Sequence, residues 1–564
     1  DIQEKFNVGK LVANIIANRN VGTDEDIRIF LEPTREDFHD PFLFNDMEKA
    51  VNRIIQAIEN KEKVLIYGDY DVDGITSTTV LKKYLEERGL NVETYIPNRL
   101  FEGYGLNNKA LDEIKQKGVN LIITVDCGIS GVEEIAYANS LEIETIITDH
   151  HETGDVLPAA VAVVDAKRKD NTYPFRGLAG VGVVFKLIQA ISITLKLEEK
   201  EYLKYLDFVC VGTISDIVPL VNENRVIAKL GLKLLNQTRN VGLKELIKSI
   251  GFKEINSSAV SFGIAPRINA CGRMGHQEEA LELFLTNNIE EAKTITEKLN
   301  NYNSTRQEIE RKIFNEALEK IQNEGNKSNT IVLAGENWHH GVIGIVSSKI
   351  TEMFFKPSIL ICIEGENGKG SGRSIPGFDL HDALTRCKDS LEKFGGHEMA
   401  VGLTLKSDKF EEFKNKFEEI AIEEKTSEIV PIINVDGIIT LKDLNRKTIE
   451  ELKQWYVDHN LPDENITRFF IGKNYTEKRA FGIYKDEQTG NVVVYKNKDD
   501  GTRAIRYEGK DEAYGVNELY IRLKEEIINQ KQHNLNKQQG RKRGIFNKGD
   551  LLTIIIVSVI FLII

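Results

Sequence analysis

The chain has 564 residues, a formal net charge of −13 and five cysteines, a length that accommodates roughly three or four domains with ample buried core. No two cysteines form a CxxC pair, so neither a disulfide framework nor a zinc ribbon is indicated, and a reducing, cytoplasmic compartment is expected. The acidic balance speaks against an indiscriminate nucleic-acid coat protein while leaving room for a local basic groove. The sequence starts at Asp1 without a methionine or a signal-peptide pattern, which reads as a truncated or processed amino terminus.

After an N-terminal extension (1–45), three short apolar runs end in acidic or histidine clusters. Val64-Leu65-Ile66-Tyr67-Gly68 leads into Asp69-Tyr70-Asp71-Val72-Asp73-Gly74. Leu121-Ile122-Ile123-Thr124-Val125 leads into Asp126-Cys127-Gly128, and Thr145-Ile146-Ile147-Thr148 into Asp149-His150-His151. Helical patterns at 76–88, 108–117 and 132–140 separate them, so the segment alternates strand and helix with parallel crossovers. Ligands of such a sheet bind beyond the carboxyl ends of its strands, which brings all three clusters to one edge. Any one of these aspartates alone reads equally well as a solvated loop acid. The set does not, because a solvated loop has no use for three acids at alternate positions followed by glycine. Carboxylates mixed with imidazole suit manganese or magnesium better than structural zinc. Two such ions can activate water and hold both oxygens of a phosphoryl transfer.

Farther along, 222–251 reads as helical, and 278–323 as helices with apolar positions Ile309, Ile313, Ala317 and Ile321. They are expected to bridge two lobes. The second lobe opens with strands at 330–333 and 358–361 and carries Gly370-Ser371-Gly372-Arg373-Ser374 and Phe394-Gly395-Gly396-His397. Its glycines allow close backbone approach to a phosphate, and its arginine offers a bidentate grip. His339 and His340, read as strand neighbours pointing to opposite faces, are assigned to packing and lobe contact. Strands at 479–484, 491–495 and 503–507 around Thr489-Gly490 and an Asp-Gly turn form a meander, followed by a helix at 516–531. Arg541-Lys542-Arg543 and Lys548 precede an apolar run of fourteen residues, 551–564, which is shorter than the ~20 needed to cross a bilayer. It reads as the start of a truncated transmembrane helix whose basic flank keeps the body on the cytoplasmic side of the membrane.

These motifs resemble the DHH phosphoesterase superfamily and, within it, the RecJ family of bacterial single-strand-specific 5′ exonucleases. Phe38-His39-Asp40-Pro41-Phe42, Ile96-Pro97-Asn98-Arg99, Glu102-Gly103-Tyr104-Gly105-Leu106, Gly180-Val181-Gly182-Val183, Gly212-Thr213-Ile214-Ser215-Asp216, Ala265-Pro266-Arg267-Ile268-Asn269-Ala270 and Trp338-His339-His340-Gly341-Val342-Ile343-Gly344 follow the family order. The likeness covers about residues 25–420. It implies an α/β fold: a parallel-sheet DHH lobe (46–225), a helical bridge (226–327) and a smaller α/β DHH-associated lobe (328–425). A C-terminal α+β module (426–530), a basic linker (531–550) and the apolar tail (551–564) complete the expected order. The family's usual OB-like domain has a possible first strand at 432–437 and no visible continuation, so the module reads as a diverged or replaced version.

The resemblance also implies roles. Asp71 and Asp126 hold one Mn2+ or Mg2+ ion with Asp69 nearby, and Asp73, Asp126, His150 and Asp216 hold a second, so that Asp126 bridges. His151 orients the site or transfers a proton, and Asp149 fixes an imidazole tautomer. Arg99, Arg267, Arg273, Ser371 and Arg373 are expected to grip the terminal 5′-phosphate, and His397 to approach the scissile group from the second lobe. Tyr104 and Phe175 are candidates either for base stacking or for packing. The implied activity is two-metal hydrolysis of single-stranded DNA from its 5′ end, releasing 5′-mononucleotides in repair and recombination, alongside a helicase and a single-strand-binding protein. Two alternatives stay open: a phosphodiesterase for short oligonucleotides or cyclic dinucleotides, and a metal-free DNA-binding scaffold.

Overall fold

The computed structural model describes residues 2–432 except 20, 100, 253 and 325–327, together with strand segments between 469 and 510. The first apolar runs form five parallel strands: β1 (Lys63–Gly68), β2 (Asn91–Tyr95), β3 (Leu121–Val125), β4 (Glu144–Thr148) and β5 (Ala162–Val164), in the order β2-β1-β3-β4-β5. Strand periodicity divides their side chains between two cores. Val64 and Ile66 of β1 join Met47, Ile54 and Val184 on one face, while Leu65 and Tyr67 join Leu111, Ile114 and Ile135 on the other. A strand buried on both faces needs an unbroken apolar run, and β1, β3 and β4 have one. These three are also neighbours in the sheet, so the clusters that follow them emerge side by side.

The helix after β1 spans Val72–Glu86, four residues earlier than the periodicity at 76–88 suggests. Asp71 is its N-cap, with Oδ1 accepting from the Gly74 amide at 3.1 Å. An acid at the cap and another in the first turn are helix-start signals that the metal-type spacing obscures. Asp73 therefore stands on the helix rather than in a loop. The helical stretch at 222–251 is two helices, Asn222–Leu235 and Val241–Ile250. Asn240 caps the second through the Leu243 amide at 2.8 Å.

A helix of 36 residues, Ile289–Glu324, leads into the second lobe. Its sheet has the order β6-β7-β8-β10-β9, from β6 (Ile331–Glu336), β7 (Ser358–Glu364), β8 (Asn367–Arg373), β9 (Lys393–His397) and β10 (Ala400–Lys406). β6 and β7 run parallel, and the rest pair antiparallel. His339 and His340 do not lie on a strand. His339 caps the helix His340–Phe354, its Nδ1 accepting from the Gly341 amide at 3.2 Å, and the two rings stack with centroids 5.8 Å apart.

The strands beyond residue 468 fall in a separate unit from residues 29–432. They are β11 (Phe469–Ile471), β12 (Phe481–Lys485), β13 (Val492–Asn497) and β14 (Arg503–Gly509). β12, β13 and β14 form the expected meander, and β11 adds a parallel partner to β12. Most of the strand expected at 432–437, the helix at 516–531, the linker at 531–550 and the apolar run at 551–564 lie outside the described residues. Among the described residues no helix is long and apolar enough to cross a membrane.

Candidate active site

The carboxyl ends of β1, β3 and β4 deliver Asp69, Asp126 and Asp149 to one edge of the sheet, and helix ends supply the rest. Asp71 and Asp73 come from the start of the helix after β1, and Asp216 caps the end of the helix Leu206–Ser215. Three sets have ligand atoms within 4.8 Å of one another: Asp69, Asp71 and Asp126; Asp73, His150 and Asp216; and Asp126, His150 and His151. Asp126 and His150 thus stand at the junction of the sets. His150 Nε2 lies 3.0 Å from Asp126 Oδ1 and 3.8 Å from Asp73 Oδ2, and its Nδ1 lies 3.8 Å from Asp216 Oδ2.

The backbone holds this crowd in place. Asp73 accepts from the amides of Gly180 and Val181 at 2.6 and 2.8 Å, buried donors without an intrahelical partner at the start of the helix Gly180–Thr194, where a carboxylate is favoured. Asp126 adopts φ +60°, a left-handed conformation that aspartate tolerates better than most residues. Gly180 is required beside it, because a Cβ there would lie 2.5 Å from Asp126 Oδ1. Asp149 is fully buried and accepts from the amides of Ile129, His150 and His151 and from His151 Nδ1, the last at 2.7 Å.

Electrostatics separate the groups. Burial, together with Asp71, drives Asp69 well above the ordinary carboxylate range; burial with Asp216 and Asp71 does the same to Asp73, and burial with Asp73 and Asp71 to Asp126. Burial raises Asp216 to about 7, helped by Asp71. Burial lowers His150 to about 3, so its imidazole is neutral and able to ligate. Burial would also lower His151, yet the Asp149 hydrogen bond and charge raise it to about 9. Asp69 Oδ1, Asp126 Oδ1 and His150 Nε2 are buried without a hydrogen-bond partner of proper geometry. Orphaned buried oxygens are costly, and divalent cations are the partners that answer both the orphaned atoms and the mutual repulsion. The oxygen-rich donor set with one or two imidazoles fits manganese or magnesium.

A second like-charge group adjoins the first. Arg273, on the helix Ala265–Arg273, is pushed down to about 9 by burial and by Arg99, Arg306 and Arg373. Its Nη1 donates to the Gly341 carbonyl at 2.9 Å, which joins the bridge to the second lobe. Arg373 on β8 donates to Ser371 Oγ at 3.2 Å and to the Gly372 carbonyl at 2.7 Å. Gly344 is required against this pair, since a Cβ there would lie 2.9 Å from Ser371 Oγ. The Arg99 guanidinium sits 4.8 Å from the centre of the Tyr70 ring, between Asp69 and Asp71 in sequence. Burial raises Tyr70 to about 12, with Asp69 adding to the shift and Arg99 opposing it.

Not every residue singled out in the sequence reaches these groups. Arg267 donates inward to Asn300 Oδ1 at 2.6 Å and to the Gly263 carbonyl at 2.7 Å. Arg306, paired with Glu310 and Asn303, is the unexpected member of the arginine group. His397 is exposed on β9, with Nδ1 accepting from the Met399 amide at 3.3 Å. Phe175 packs against the first-lobe core. Tyr104 joins the site through its hydroxyl rather than as a stacking surface, 3.2 Å from His151 Nδ1 and 3.3 Å from the Asp126 carbonyl. With Nδ1–H committed to Asp149, the Tyr104 proton is left for that carbonyl. Asp165, which the sequence reading passed over, follows β5 and is raised to about 7 by burial, its Oδ2 unpaired. Its signal was the acid after Ala162-Val163-Val164, a run too short to stand out.

The model of the DHH family N-terminal domain matches residues 63–213, and that of the DHHA1 domain residues 327–423. The single-stranded-DNA-specific exonuclease RecJ of Bacillus subtilis is 42% identical over 456 residues, 80% of this chain and 57% of the relative. That of Escherichia coli is 36% identical over 400 residues, 67% of this chain and 69% of the relative. A crystal structure of exonuclease RecJ bound to manganese aligns with a TM-score of 0.62 at 33% identity, covering 69% of this chain and 97% of the other. RecJ from Thermus thermophilus in complex with Mn2+ aligns with a TM-score of 0.71 at 27% identity, covering 91% and 72%. The chain spans a little over half the length of the Bacillus relative.

Proposed function

The chain belongs to the RecJ family of DHH phosphoesterases, and from that membership we propose that it is a divalent-metal-dependent exonuclease that degrades single-stranded DNA from the 5′ end to 5′-mononucleotides, in repair and recombination. One observation carries the reading: an acidic group with metal-ligand spacing lies against a cluster of arginines that depress one another, with Tyr70 and Arg99 at their border.

Asp69, Asp71 and Asp126 are assigned to one manganese or magnesium ion, and Asp73, Asp126, His150 and Asp216 to the other. When bound, such a pair lowers the pKa of water and neutralises charge on the attacking and leaving oxygens. The chain's own groups do the rest. The Asp149 carboxylate holds His151 Nδ1–H, which leaves Nε2 to carry a proton toward the departing oxygen. The amides of Gly180 and Val181 keep Asp73 aimed. Arg99, Arg273, Arg373 and Ser371 hold the terminal 5′-phosphate, so that the scissile bond is the next one along the strand and each cut releases one nucleotide. Arg267 is assigned to support of the bridge, and His397 to a contact made when the second lobe closes on substrate.

The test is product analysis with manganese on a 5′-phosphorylated, internally labelled single strand, beside its duplex, a 5′-blocked strand and a cyclic dinucleotide, with Asp126→Ala as control. Stepwise mononucleotide release from the free single strand alone, lost in the variant, supports the reading. Activity confined to dinucleotides would move the chain to the oligonucleotide and cyclic-dinucleotide phosphodiesterases, and binding without cleavage would make it a scaffold. Two associations extend the proposal. Work with a helicase and a single-strand-binding protein is tested by co-purification. Attachment to the inner face of the membrane rests on the apolar run 551–564 behind Arg541, Lys542 and Arg543, and fails if deleting that run leaves cell fractionation unaltered.

A further inference from the structure

The residue after Asp216 is out of place by every local criterion. The helix Leu206–Ser215 ends with Asp216 at its C-cap, and Ile217 then takes φ +62°. That position after a helix is normally given to glycine, or to asparagine, because a Cβ crowds the backbone there. A β-branched side chain suffers most. Of the eleven non-glycine residues with positive φ among the described residues, Ile217 is the one β-branched member.

Nothing among the described residues returns the cost. Ile217 is 87% exposed, a value matched among the large exposed apolar side chains by Phe101 alone, whereas Ile214 on the same helix is 5% exposed. Strain without packing points to a task outside the fold. The location says which task, since Asp216 has a carboxylate oxygen within 4.8 Å of ligand atoms of Asp73 and His150. The left-handed turn does two things at once: it ends the helix so that Asp216 faces the acidic group, and it stands an aliphatic side chain in solvent at the rim of that group.

We propose that Ile217 is a substrate-contacting residue, its side chain packing against a nucleobase adjoining the scissile phosphate. This rests on the exonuclease reading and adds a specificity element to it. An unpaired base presents an apolar face that a duplex keeps stacked, so an aliphatic rim favours splayed single strands.

The experiment uses the full chain with Ile217→Gly, which keeps the turn and removes the side chain, and Ile217→Leu, which keeps apolar bulk. KM and kcat are measured on a 5′-phosphorylated single strand and on the same strand with abasic sites at its first two nucleotides, and manganese affinity by calorimetry. For Ile217→Gly the expected result is a KM about five to ten times higher on the normal strand, with kcat within about twofold. The KM difference from wild type should vanish on the abasic strand, manganese affinity should hold, and Ile217→Leu should keep most of the wild-type KM. An unchanged KM on the normal strand would overturn the proposal. So would an equal rise on the abasic strand, or a loss of manganese affinity, which would mean that Ile217 acts only by aiming Asp216. Wild-type protein that leaves both strands intact would instead bring down the exonuclease reading, and that failure is visible before any variant is made.

Discussion

The acidic and arginine groups are built to the same plan with opposite sign. Each gathers like charges from separate elements and buries them, and each leaves them partly unanswered by the chain. Burial, with the charge of Asp71 beside them, pushes Asp69, Asp73 and Asp126 upward, and burial, with Arg99, Arg306 and Arg373, pushes Arg273 downward. The difference lies in how the chain supports them. The acids sit on strand ends and helix caps within one lobe, fixed by backbone amides such as those of Gly180 and Val181. The arginines come from the first lobe, the bridge and the second lobe, and a side-chain-to-carbonyl contact, Arg273 to Gly341, helps to join them. A cation site needs ligands fixed to a fraction of an ångström, and a backbone scaffold supplies that. A phosphate grip tolerates more slack, and long guanidinium arms can close on it from several bodies.

A third buried cluster shows what a charge looks like when the fold does answer it. Lys186 and Glu223 are fully buried, 2.9 Å apart, with Lys186 also donating to the His39 carbonyl and Glu223 accepting from the His39 amide and the Tyr173 hydroxyl. This network closes on itself and so reads as structural.

The largest effect expected is at the residue shared between the ligand sets. Asp126→Asn should lower kcat with manganese on the order of 10³-fold or more while circular dichroism shows an intact fold. Retention of a tenth of the activity would mean that the sets do not depend on a shared carboxylate. Next, Lys186→Met should cost about 3–5 kcal/mol of stability in urea unfolding, because it leaves Glu223 buried and unpaired. A loss below about 1 kcal/mol, the range of exposed ion pairs, would dissolve the contrast between answered and unanswered charge. Manganese at about a hundred times its dissociation constant should stabilise the wild type by about 2.7 kcal/mol. Thermal melts should show that gain absent in Asp126→Asn. Arg373→Ala should weaken binding of a 5′-phosphorylated strand about ten- to hundredfold, with a smaller change for a 5′-hydroxyl strand; equal losses on both would deny the arginines their terminal phosphate. Smallest is Tyr104→Phe, which removes one hydroxyl and should slow turnover by no more than about tenfold, with substrate affinity kept.

How much of this was legible in the sequence depended on whether the signal was local. The strands β1, β3 and β4 and their terminal acids could be read because burial on both faces demands an apolar run and the acids follow at once. Asp216 was reached through its motif, since a helix C-cap has no acidic pattern of its own. Arg306 was missed and Arg267 over-weighted for one reason: which way an arginine points from a helix depends on the neighbours, here Asn300 and Gly263 for one and Asn303 and Glu310 for the other. The His339-His340 pair starts a helix rather than lying on a strand, and histidine at an N-cap carries no sequence signal of the kind that serine, threonine, aspartate or asparagine gives.

Tyr70 connects two tasks through a single turn of chain. Its flanking residues Asp69 and Asp71 belong to one ligand set, and its own ring lies under Arg99. One tripeptide thus carries two carboxylates of the acidic group and an aromatic face for a member of the arginine group, so the first lobe couples the two groups through covalent chain rather than through packing.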